Sequence, residues 1–147
     1  MELLKLVITG TVGAFGFSVL FGTKPTHTPF AAFGGMLSTL VYALLDILGV
    51  NLFVSHFVAA VVCVIYSNIL ARVLKTPSMV FITSSIIVLV PGGSLFYTMS
   101  NIILGNSQAA SAYALSTLQV ALGIAGGIVI ESLIVSLMSK FSHSRKH

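Results

Sequence analysis

The chain has 147 residues, of which 56% are hydrophobic and 7% charged, with a mean hydropathy of +1.08. Seven Lys and Arg with three Asp and Glu cannot solvate the surface of a soluble domain, which carries roughly 25% charged residues, and the apolar content is far too high for a disordered chain. The net charge of +4 is dispersed, with no basic face interleaved by aromatics, so no nucleic-acid partner is expected.

A spanning helix needs about 20 apolar residues, and five such runs follow one another. The first covers about 3–22. It passes Gly10 and Gly16 and has Glu2 beside Lys5, so it is longer than the apolar region of a cleaved signal peptide and differently flanked. A loop with Pro25 and Pro29 ends it. The second run covers about 30–48 and the third about 52–71. The third holds Cys63, a lone thiol that excludes an internal disulfide and reads as a small hydrophobe. The fourth run, about 78–104, is interrupted at Pro91-Gly92-Gly93, and the fifth covers about 112–138. Residues 139–147 form a polar, basic tail. The runs are apolar throughout rather than alternating, which excludes barrel strands. The expected fold is therefore all-α: a single integral-membrane domain over 1–147, with five transmembrane helices and the fourth one broken.

Charge placement tests that count. With five spans, Lys24, Arg72, Lys75, Lys140, Arg145 and Lys146 share one side, and only Lys5 lies on the other. The positive-inside rule then places the N-terminus outside and the tail in the cytoplasm of a cell membrane. Gly10, Gly13 and Gly16 in the first span, and Gly123, Gly126 and Gly127 in the fifth, let helices approach closely in lipid.

The fourth run carries the chemistry. Pro91 lacks an N–H and its ring opposes the preceding turn, while Gly92 and Gly93 let the chain leave helical geometry cheaply. Two half-helices are expected, the second starting near Gly93-Ser94. Its free N–H groups suit a carboxylate, with Ser84, Ser94, Tyr97 and Asn101 as polar partners around them. A simple proline kink, with hydroxyls bonded to their own backbone, is the alternative.

The stretch from Lys75 through Thr76-Pro77, an apolar run, Leu89-Val90-Pro91-Gly92 and then Tyr97 resembles the threonine/serine exporter family. More narrowly, it resembles the short integral-membrane subunit of that family's split members, the YjjB-like half. The family pattern commonly has a further proline before Leu-Val-Pro-Gly; Val88 stands there, so a less broken first half-helix is expected. The resemblance implies ion-driven export of threonine and serine, with succinate a second substrate class. It also implies a larger homologous membrane subunit as partner, with a homo-oligomer as the alternative. Pro77, Pro91, Gly92 and Tyr97 carry over as structural or substrate-lining positions.

Glu131 lies inside the fifth span. A carboxylate there is costly and faces a cavity or a partner, which makes it the candidate proton carrier; pairing with Lys140 at the interface is the alternative. Asp46, near the outer end of the second span, is expected to be an interfacial group. Arg72 and Lys75 flank the cytoplasmic start of the fourth span and form a candidate inner mouth. His27 and His56 are isolated, so no metal is expected. Without a Walker loop or a catalytic constellation, neither a cofactor nor an enzyme activity is expected. The function expected is a subunit of a secondary exporter for small carboxylate-bearing metabolites; the alternative is a non-transporting membrane scaffold or assembly subunit.

Overall fold

The computed structural model describes the backbone of residues 2–144 and the side chains of residues 3–134. The described residues form six α-helices and one 3₁₀ turn and contain no strand: α1 (Glu2–Leu20), α2 (Thr28–Ile47), α3 (Leu52–Leu74), α4 (Ser78–Ile86) with the 3₁₀ turn Ile87–Leu89, α5 (Gly92–Ile103) and α6 (Ser107–Ser144). Four helices are long and apolar enough to cross a membrane, and α4 and α5, bent by 47° at the break, are long and apolar enough together to form a fifth, broken span or a re-entrant loop. The protein is a polytopic helix bundle.

Local chemistry sets the helix ends. Pro29 falls in the first turn of α2, where its missing N–H costs nothing, so the helix starts inside the expected loop. Gly49, at φ 71°, closes α2, with its N–H on the Asp46 carbonyl at 3.0 Å and that of Val50 on Leu45 at 3.1 Å. Asn51 caps α3 by accepting from the Phe53 N–H at 3.0 Å. At its other end, α3 continues past the expected stop to Leu74, and Lys75 takes the left-handed cap position at φ 50°. Asn106 accepts from the Ala109 N–H at 3.3 Å, which draws the polar stretch from Ser107 into α6 instead of leaving it as a turn. α6 runs on to Ser144, so the expected tail begins as helix; the side chains of residues 135–147, Lys140 included, and all structure of residues 145–147 lie outside the described residues.

Small residues bring the helices together. A methyl on Gly10 would overlap the Thr39 hydroxyl, and one on Gly35 would overlap Ala14, which fixes α1 against α2. On α6, a methyl at Gly123 would stand 2.7 Å from the Phe53 carbonyl, and one at Gly127 2.8 Å from the Phe57 carbonyl, so α6 lies against the α3 backbone. Such contact stabilises helix pairs in lipid through dispersion rather than a hydrophobic drive. Gly16 has open space around it and contributes no such contact. The core joins Ala59, Ala60, Cys63 and Val64 of α3 with Ile86, Leu89, Val120 and Ile124.

Candidate functional site

The helical ladder of the fourth span fails where the sequence predicts. α4 ends at Ile86 and tightens into the 3₁₀ turn Ile87–Leu89, so the segment leaves regular α-helical winding even with Val88 in place of a second proline. Val90 is extended at ψ 132°, and the new helix begins at Gly92, one residue earlier than expected. Gly92 donates to the Val90 carbonyl at 2.8 Å, and Leu95 donates to the Pro91 carbonyl at 3.0 Å. Between them, Gly93 and Ser94 hold first-turn N–H groups of the kind a helix leaves without an intrahelical partner.

This turn lines a cavity of about 610 Å³. Pro91, Gly92, Gly93 and Ser94 form one wall, and Thr9, Thr39, Tyr42 and His56 supply polar groups from α1, α2 and α3. His56 is buried, and its Nδ1 lies 2.9 Å from the Leu52 carbonyl. A carbonyl only accepts, so Nδ1 carries the hydrogen and Nε2 remains for another partner. The Tyr42 and His56 rings are 4.5 Å apart. His56 is therefore not isolated: the fold brings it to the break.

A second cavity, of about 650 Å³, lies on the other side of the same segment. Val90 lines both. The second cavity is bounded by Val64 and Asn68 of α3, Ser78, Ile82 and Thr83 of α4, and Ile128, Glu131 and Ser132 of α6. The first thus lies toward the Asn51 end of the bundle and the second toward the Lys75 end. Glu131 is 3% exposed. Its Oε1 accepts from the Asn68 Nδ2 at 2.8 Å, and its buried Oε2 has no partner among the described residues.

The remaining predicted residues lie elsewhere. Ser84 is fully buried and donates to the Val80 carbonyl at 3.1 Å, one turn back in its own helix. Tyr97 is exposed and stacks on Tyr113 with ring centroids 5.3 Å apart. Asn101 donates to the Tyr97 carbonyl at 2.8 Å. None of the three lines either large cavity. Lys75 lines a separate cavity of about 320 Å³ with Lys24, His27 and Pro77; Arg72, in the last turn of α3, is exposed and lies outside it. Pro77 sits at the N-cap of α4 at ψ 132°, where it starts the helix without costing a bond. Asp46 is exposed beside Tyr42.

A polytopic bundle whose broken helix pair separates two cavities, each holding a few polar groups, has the construction of a membrane transporter. The family described as "Threonine/Serine exporter, ThrE" matches residues 6–134, and the chain belongs to it. That family is one of transporters rather than enzymes. No curated protein and no solved structure matches the chain.

Proposed function

We propose that this chain is the membrane-embedded half of a secondary exporter for small carboxylate-bearing metabolites, threonine and serine first and succinate second. The observation that carries the reading is the place of the helix break: Pro91-Gly92-Gly93-Ser94 forms the wall of one cavity, and a second cavity lies just behind Val90. The N–H groups of Gly93 and Ser94, at the positive end of a 12-residue helix, receive the substrate carboxylate. With the N-terminus outside, as the cation asymmetry argues, the first cavity faces outward and the second faces the cytoplasm, where Arg72 and Lys75 draw in substrate.

Glu131 carries the coupling proton. Among the described residues no other Asp, Glu, His, Lys or Arg lines its cavity, so nothing else there competes for the charge. The partner is a larger homologous membrane subunit. Supporting this, α5 has no buried residue, and its Leu95, Phe96, Met99, Ile102 and Ile103 are exposed.

The test is efflux from cells expressing the chain with and without that partner, loaded with a threonine dipeptide or with succinate. Faster threonine efflux that needs both chains is expected, and Glu131→Gln is expected to flatten its pH dependence. Unchanged efflux of both solutes would reject transport and leave a scaffold.

A further inference from the structure

Glu131 and Asn68 come from α6 and α3, 63 residues apart in sequence. Asn68 occupies one carboxylate oxygen, and the other is buried with no donor among the described residues. Much of the surrounding wall is apolar: Val64, Ile82, Ile86, Ile87 and Ile128. A half-satisfied carboxylate in such a place costs free energy until a cationic donor reaches it. The cavity itself has room for a small solute.

We infer that the Glu131–Asn68 pair is an ammonium site in the second cavity, separate from the Gly93–Ser94 carboxylate site in the first, with the Oε2 of Glu131 accepting the α-ammonium group of a threonine or serine before the solute moves on. This rests on the transport function proposed above and names the group that selects the substrate. A primary ammonium brings three donors. Oε2 takes one, and the hydroxyls of Ser78 and Thr83 on the same cavity wall are acceptors for others. A hard metal ion is a poorer occupant, since it demands a cage of oxygen ligands, and the described residues hold no cluster of three His, Cys, Asp or Glu side chains. A dicarboxylate is poorer still: its second carboxylate would meet Glu131 as a like charge. Asn68 acts as a positioning residue, holding the Glu131 carboxylate through Oε1 at the wall of the cavity.

The experiment uses the full chain in lipid nanodiscs and two probes, L-threonine and 3-hydroxybutyrate, which is threonine without its amine. Wild-type protein is expected to bind threonine at least about tenfold more tightly, the scale of one hydrogen bond to a charged group. Glu131→Gln should bring threonine down to the level of 3-hydroxybutyrate and leave the latter unchanged. A second readout does not depend on that variant folding. The chain has only two glutamates, Glu2 and Glu131, so carbon-labelled glutamate in a Glu2→Gln background reports Glu131 alone. Its carboxyl infrared band should shift on adding threonine and stay still with 3-hydroxybutyrate or sodium ion. Equal binding of the two probes, a silent band, or full threonine affinity in Glu131→Gln overturns the subsite while leaving efflux intact. Absence of both binding and efflux in the wild type overturns the transport function together with the subsite.

Discussion

On one side of Pro91, α4 and its 3₁₀ turn bury Phe81, Ser84, Ser85, Ile86 and Leu89, packed between α2 and α3 with α1 alongside. On the other side, α5 buries no residue and leans on α6, with little contact to the first four helices. The two segments are similarly apolar, so hydrophobicity does not explain the difference. Hydroxyl placement helps explain it. Ser85 Oγ donates to the Ala31 carbonyl and Ser38 Oγ to the Ser85 carbonyl, both at 3.2 Å, which stitches α4 to α2. In α5, Thr98 and Asn101 bond only to their own helix. One half of the span is built into the bundle and the other is carried by a neighbour.

The sharpest way to break this comparison is to truncate one phenylalanine in each half. Phe81→Ala empties a fully buried site and is expected to cost about 3 kcal/mol, whereas Phe96→Ala, at 66% exposure, should stay within about 0.5 kcal/mol; thermal unfolding in detergent measures both. Straightening the joint tests it differently. Pro91→Ala restores a backbone donor and removes the ring clash, and efflux is expected to fall about tenfold, roughly 1.4 kcal/mol on the barrier, with the protein still made and inserted. Thiol labelling sharpens the contrast: in a Cys63→Ser background, Ser94→Cys should react with a water-soluble maleimide at least about tenfold faster than Ser84→Cys, because only the first lines a cavity and thiolates react only where they are accessible. A similarly small effect belongs to Ser85→Ala, which removes one interhelical hydrogen bond and should cost about 0.6 kcal/mol in the same unfolding assay.

Much of the architecture was legible because its signals are local. Apolar runs mark spans, and Pro91 with Gly92 and Gly93 punctuates the fourth one within a few residues. Helix starts at Thr28 and Ser107 were less so, because a first-turn proline or a capping asparagine reads equally well as loop. Most of the first cavity's polar side chains escaped notice, since Thr9, Thr39, Tyr42 and His56 meet the break only through tertiary packing. A signal did exist: His56, Ala60, Cys63 and Ser67 recur at three- and four-residue spacing, a small and polar stripe on α3, and all four are buried. Asn68 follows Val64 by one turn beside that stripe, but nothing local connects it to Glu131. Tyr97 and Asn101 seemed to belong to the site because they lie close to Pro91 in sequence; the 47° bend carries them away from it.

Val90 lines both cavities, and that has an electrical consequence. Where water fills the two chambers, each conducts like the bulk phase on its own side. The voltage across the lipid then drops over a few ångströms of protein instead of some 30 Å. Any ion passing that wall does nearly the full work of the potential, about 2.3 kcal/mol per charge per 100 mV, in one short step, while a zwitterion carrying no net charge slips through almost unopposed by the field.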